Sequence, residues 1–226
     1  MSNLFYNQKF YTNFFFKKCI ALSLRVSNRL DRRKDKKICG VSLGKYVPSL
    51  YRESMGATGS QSTCYRTLDK IFKGSSFSAS DSFIDVGCGK GRVLAYMVNK
   101  KVPCSITGIE LNEEVAAYAA DWAKKYENVR VISGSAFDLD YNDYTVLFMG
   151  RPFEPEMFYK FIDKLETELT HPIKLYYWVD QQSGNYLDDR KGWEMHKREK
   201  VFNIHGLFVA RSPQRYSIWT YTPNEK

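Results

Sequence analysis

The stretch Asp85-Val86-Gly87-Cys88-Gly89-Lys90-Gly91-Arg92 decides how the rest of the chain is read. Phe83 to Val86 is a short apolar run of the buried-strand type, and Arg92 to Lys100 has the spacing of a helix. Glycines at alternate positions between the two let the backbone turn tightly and come close to a ligand, while the helix start offers unpaired N–H groups. This is a nucleotide-type loop. It is not the phosphate loop, because Gly-Lys-Gly stands where Gly-Lys-Ser/Thr is required. It also departs from the dinucleotide pattern Gly-x-Gly-x-x-Gly: the third glycine comes one residue early, and an acid precedes the first.

A second acid, Glu110, ends the next apolar run, 19 residues beyond Gly91. That is close to the ~20 residues expected for a carboxylate that grips ribose hydroxyls. Two acids beside the loop would repel a pyrophosphate, but they suit a cationic ligand that carries an amino group. S-adenosylmethionine fits that description.

With these residues in hand, 80–155 resemble a class I S-adenosylmethionine-dependent methyltransferase. They are similar to small bacterial methyltransferases that share an Asp-x-Gly-Cys-Gly-Lys-Gly-Arg loop, a Gly-Ile-Glu-Leu second strand and a later Asn-Pro-Phe. The resemblance implies a cytoplasmic enzyme in which Asp85, Gly87, Cys88, Gly89 and Gly91 surround the amino-acid part of the cofactor. It further implies that Glu110 holds the ribose, that Leu111 packs on the adenine, and that Ser135 and Ala136 border it. Two departures stand out. Gly134-Ser135-Ala136 replaces a Gly-Asp-Ala run, so a hydroxyl stands in for a charged acceptor. Arg151-Pro152-Phe153 replaces Asn-Pro-Phe, and arginine has no acceptor to offer a nitrogen substrate. Arg151 then either holds a carboxylate or phosphate of the substrate or rests on Glu154 or Glu156.

From Ser82 onward, short apolar runs alternate with amphipathic stretches, the pattern of a parallel sheet covered by helices. Strands are expected at Ser105 to Glu110, Val129 to Ile132, Thr145 to Met149 and Ile173 to Val179. Helices are expected at Glu113 to Lys125, capped by Asn112, and from Pro155 to about Leu169. Residues 46–80 mix loop with a helix at Tyr65 to Phe72. Glu199 to Phe202 and Tyr216 to Thr222 look like an antiparallel hairpin at the sheet edge. The expected fold is α/β, doubly wound and Rossmann-like, with about seven strands and the last antiparallel. It is preceded by a basic helical extension, so that 1–45 is the extension and 46–226 the methyltransferase domain.

The chain has 226 residues, 43% hydrophobic and 26% charged, which excludes disordered and disulfide-stapled classes. Five cysteines without a Cys-x-x-Cys pair read as free thiols in a reducing compartment. The net charge of +9 lies wholly in residues 1–45, and the remaining 181 sum to zero. Lys17-Lys18 interrupts the apolar stretch there, so it does not span a bilayer, and it carries no secretory signature. As a helix, Phe15, Cys19, Leu22, Val26 and Leu30 form one stripe flanked by Lys18, Arg25 and Arg29. Either the stripe packs on the protein's own body or a partner, with Arg32 to Lys37 solvated, or it lies on an anionic membrane surface, peripheral to the inner membrane. Nucleic acid is disfavoured.

His171, His196 and His205 lack metal-ligand spacing, and no metal is expected. Cys88 reads as a small loop filler. Arg151 is the candidate substrate anchor and Tyr177 or Tyr65 the candidate pocket wall; the run Tyr176-Tyr177-Trp178 at the end of the fifth strand either walls an acceptor pocket or is ordinary core. The expected activity is methyl transfer from S-adenosylmethionine to an unidentified acceptor. The competing reading is a non-catalytic binding protein on the same fold, acting at a membrane or partner through its basic N-terminus. A nicotinamide-dependent oxidoreductase is disfavoured by the glycine spacing.

Overall fold

The computed structural model describes residues 14–223. Residues 1–13, including Lys9 of the basic segment, lie outside them. In chain order the elements are α1 (Phe14–Cys39), α2 (Arg52–Met55), α3 (Tyr65–Ile71), β1 (Ser82–Val86), α4 (Arg92–Asn99), β2 (Ser105–Glu110), α5 (Glu113–Ala123) and β3 (Val129–Ser133). Then follow β4 (Val146–Met149), α6 (Pro155–Glu168), β5 (Ile173–Trp178), β6 (Trp193–Val201), β7 (Asn203–Ile204), β8 (Leu207–Phe208) and β9 (Gln214–Tyr221).

Seven strands form one sheet in the order β3-β2-β1-β4-β5-β9-β6. β1 to β5 pair in parallel, and β9 runs antiparallel to both β5 and β6. Their apolar runs are continuous because both faces are covered. Phe83, Phe148 and Tyr176 point to one side, where Phe72 at the end of α3 sits 6.2, 5.7 and 4.7 Å from their ring centres. Ile84, Leu147, Leu175 and Tyr177 point to the other, against α6, where Phe158 stacks on Tyr177 at 4.7 Å. Asn112 caps α5 by accepting from Val115 N at 3.1 Å.

β6 starts six residues before the strand expected at Glu199. It is the exposed edge, carries charges on both faces and bulges between Met195 and Lys197. A bulged, charged edge resists pairing with another chain, and the same features erase the alternation that marks a strand in sequence. β7 and β8 form a separate small hairpin.

α1 lies on the body with its apolar stripe outward, so the stripe does not pack on the protein's own body. Leu22, Val26 and Leu30 are 63%, 42% and 41% exposed, and Phe15 is exposed as well. The buried face carries Ile20, Ser27, Asp31, Asp35 and Cys39. Its anchor is Arg92 at the start of α4. Arg92 donates from Nε and Nη2 to Asp35 at 3.0 and 2.7 Å, while its Nη1 stands 3.5 Å from Asp31. Asp35 also accepts from Leu43 N at 2.9 Å. Of the charge run, Arg32, Arg33, Lys36 and Lys37 are exposed, but Asp35 is fully buried. Among the described residues no helix is long and apolar enough to cross a membrane. The five cysteines are free.

Candidate functional site

The carboxyl ends of β1 to β5 open into a cavity of about 1340 Å³, where ligands of open α/β sheets bind. Its floor is the loop after β1. Gly87 N and Cys88 N both donate to Ile109 O at 2.9 Å, which ties the loop to β2. Gly87 has a φ of +73°, and a Cβ there would lie 2.6 Å from Cβ of Pro152, so only glycine lets this loop meet the one after β4. Cys88 turns its sulfur toward Gly108, and burial pushes its thiol well up, which makes it a filler and not a nucleophile.

Asp85 and Glu110 both line the cavity. Glu110 accepts from Gly89 N at 2.8 Å through Oε2 and from Asn112 N at 3.0 Å through Oε1. Burial raises its carboxyl above the usual range against those hydrogen bonds. Burial holds Asp85 well above that range too, and the neighbouring Glu110 adds to the effect. The cations of the loop do not relieve them. Lys90 donates to Lys45 O at 3.2 Å and lies over the Tyr118 ring, and Arg92 is taken by Asp35 and Asp31. Two desolvated acids thus share a cavity end, and among the described residues neither forms a salt bridge.

Of the remaining expected residues, Leu111, Ser135 and Ala136 line the cavity, joined by Phe137. Ser135 Oγ accepts from Phe137 N at 3.1 Å, so the hydroxyl that replaces an aspartate already caps a turn. Gly134 presents open space where a Cβ would stand. Gly91 does not line the cavity; its φ is +83°, and a Cβ there would meet the Trp122 ring at 2.8 Å, so its role is packing.

Arg151 lines the cavity with a φ of +54°, a left-handed backbone uncommon for a side-chain-bearing residue. It donates to Gln182 Oε1 at 3.1 Å, whereas Glu154 pairs with Arg52 at 2.7 Å. Val179, at the end of β5, also lines the cavity and is left-handed at +62°, a stronger outlier because it is β-branched. Tyr177 corrects the pocket-wall expectation. It is wholly buried in the core on the α6 side, with its hydroxyl 2.6 Å from Ser183 Oγ. Side chains alternate along a strand, and its neighbour Trp178 lines the cavity instead. Tyr65 likewise lies behind the wall, buried against Arg92.

Sequence reasoning missed the roof. Residues 56–60 are clamped onto the loop after β4: Thr58 N donates to Pro152 O at 2.9 Å, Thr58 Oγ1 to Arg151 O at 2.7 Å, and Glu154 N to Gly56 O at 2.8 Å. One face of α1, through Ile20 and Leu24, and residues 209–211 complete the enclosure. The nearest feature in the sequence is the polar run Ser62-Thr63-Cys64 just before α3.

Residues 83–164 match the methyltransferase domain family. A curated relative, (S)-tetrahydroprotoberberine N-methyltransferase from Eschscholzia californica, is 23% identical over 70% of this chain and 45% of its own length. The chain thus spans about half of that relative. A methyltransferase from Pyrococcus furiosus superposes over 88% of this chain and 98% of its own with a TM-score of 0.61 at 16% identity. A putative methyltransferase from Escherichia coli does so over 71% and 86% with a TM-score of 0.53 at 17% identity. At these identities the structural likeness shows the fold, and the methyltransferase domain match covers the β1 to α6 segment that carries both acids. Among the described residues no group of three or more His, Cys, Asp or Glu is placed to hold a metal ion.

Proposed function

We propose that this chain is a class I S-adenosylmethionine-dependent methyltransferase. The observation that carries the reading is the pair Asp85 and Glu110, both facing the cavity, with Lys90 and Arg92 turned to other partners. Such an end favours a cationic ligand with an amino group and disfavours a pyrophosphate. The residues fit the cofactor. Asp85 and the 87–89 backbone suit its amino-acid part. Glu110 suits the ribose hydroxyls, and Leu111, Ser135, Ala136 and Phe137 suit the adenine. Bound there, S-adenosylmethionine supplies an electrophilic methyl group on a positively charged sulfur.

The chain's own task is alignment of the acceptor and exclusion of water. The Arg151 and Pro152 carbonyls accept from Thr58, so this loop holds its backbone acceptors on the roof, and Arg151 itself lines the cavity. Among the described lining residues there is no histidine, and burial raises the Cys64 thiol. That favours an acceptor atom whose lone pair is available without prior deprotonation.

Calorimetric titration with S-adenosylhomocysteine tests the cofactor. We expect binding that weakens by about 10-fold or more in Asp85→Asn and in Glu110→Gln, from the loss of charge-assisted contacts. Binding of NAD in its place, or variants that bind S-adenosylhomocysteine as the parent does, would overturn the reading.

The exposed face of α1 supports a second element, contact with an anionic membrane surface. Leu22, Val26 and Leu30 run beside Lys18, Arg25 and Arg29, while both acids of the helix face inward. Co-sedimentation with phosphatidylglycerol vesicles, lost in Leu22→Asp/Val26→Asp, is the expected result. Equal sedimentation of parent and variant would remove membrane contact from the function.

A further inference from the structure

The cavity is electrically divided. Asp85 and Glu110 occupy the glycine-loop end, whereas Lys17 and Arg25 of α1, Arg151 after β4 and Arg211 after β8 line the remainder. Two further cavity cations are neutralised inside the protein, Arg52 by Glu154 at 2.7 Å and Arg92 by Asp35 at 2.7 Å. The four others have no carboxylate partner among the described residues, and Arg151 is held only by the neutral Gln182. Asp180, on the turn after β5, is engaged by Arg215 at 2.5 Å and Arg198 at 3.6 Å. Like charges around one concave surface repel one another and focus a positive potential into it.

Their convergence is built into the fold. Ser23 Oγ of α1 accepts from Phe208 N at 2.6 Å, and Phe16 meets Phe208 edge to face at 5.4 Å. These contacts fix β8, and so the adjoining residues 209–211, beside the first turns of α1. The same lining carries the apolar side chains Ile20, Leu24, Trp178 and Val209 among its polar ones. At about 1340 Å³ the cavity exceeds the ~300–1,000 Å³ of a single-ligand site, which leaves room for an acceptor beside the cofactor.

We propose that the methyl acceptor is an anionic amphiphile. Its carboxylate or phosphate group is held by Arg151, Arg211, Arg25 and Lys17, and its apolar part lies along Ile20, Leu24, Trp178 and Val209. This rests on the methyltransferase reading above and adds the substrate class to it. Charge-assisted hydrogen bonds from guanidinium groups supply the selectivity, and the acids at the opposite end keep the anionic group away from the cofactor position.

The test is calorimetric titration of the full chain with octyl phosphate, octylammonium and inorganic phosphate, each with and without saturating S-adenosylhomocysteine. Octyl phosphate is expected to bind about 10-fold or more tightly than either control. Arg151→Ala and Arg211→Ala should each weaken it by about 10-fold or more while leaving S-adenosylhomocysteine affinity within about 2-fold. Equal affinity for octylammonium, or variants that bind octyl phosphate as the parent does, would overturn the inference. S-adenosylhomocysteine binding without octyl phosphate selectivity defeats the acceptor class alone, and octyl phosphate selectivity without S-adenosylhomocysteine binding defeats the cofactor reading alone. Phosphatidylglycerol vesicles separate the sources of the anionic group: they displace octyl phosphate where the acceptor is drawn from a bilayer and leave it bound where the acceptor is free in solution. Either result supports the anionic class.

Discussion

Replacing Asp35 with alanine probes what holds α1 over the site. Asp35 is fully buried and accepts three hydrogen bonds, two from Arg92 at 3.0 and 2.7 Å and one from Leu43 N at 2.9 Å. The substitution leaves a buried guanidinium facing only Asp31 at 3.5 Å and an amide without its acceptor. Breaking a buried pair by removing one partner costs about 3–5 kcal/mol, and a buried amide left unsatisfied adds about 1–3 kcal/mol. Asp31 offsets part of this, so we expect a loss of about 4 kcal/mol. At this chain length each kcal/mol moves Tm by about 2–4 °C, which gives a fall of roughly 8–16 °C. Circular dichroism melts at neutral pH read the shift, and limited proteolysis reads release of α1. In an Arg92→Leu background the same Asp35→Ala change should cost far less, because no unpaired guanidinium remains. A Tm shift below about 4 °C, or equal effects in the two backgrounds, would refute the anchoring argument.

Three further outcomes are expected. Burial raises the Asp31 carboxyl from its ordinary 3.8 to about 6, against the pull of Arg92. The folded chain therefore holds a proton that the unfolded chain has released, and this contribution is full below about pH 4 and lost as pH rises through about 6. The stability of the parent minus that of Asp31→Asn, measured by urea titration, should fall from pH 4 to pH 7; a rise in that signed difference would overturn the argument. Tyr177→Phe removes a hydroxyl bonded to Ser183 at 2.6 Å, so it should lose about 0.5–1.5 kcal/mol of stability with S-adenosylhomocysteine affinity unchanged; a lost affinity would return Tyr177 to the site. Gly91→Ala places a Cβ 2.8 Å from the Trp122 ring at a φ of +83° and should destabilise by about 1–3 kcal/mol, whereas an unchanged melt would contradict the close approach.

The legible parts of this chain are those in which function and burial act on neighbouring residues. β1, the glycine loop and α4 are contiguous, and β1 to β5 announce themselves as apolar runs because helices cover both faces. The distance of Glu110 from Gly91 is legible because a short crossover fixes it, which puts Glu110 at the end of β2. The hidden parts depend on contacts between distant residues. Thr58 meets Arg151 across 93 positions, and Asp35 meets Arg92 across 57, so no local spacing records either. β6 extends further back than its sequence pattern shows because an edge strand has one unpaired side and tolerates charge on both faces. In α1 the sequence leaves two orientations open, and distant charge decides between them. Apolar surface is what a helix usually buries, but the body offers it Arg92, a buried cation that needs carboxylates more than α4 needs another aliphatic contact. Asp31 and Asp35 therefore turn inward and drive Leu22, Val26 and Leu30 outward. The charge that fixes this orientation also clears the outer face of acids, which is why a helix with an ordinary amphipathic pattern ends with its cations and its apolar residues on the same solvent side.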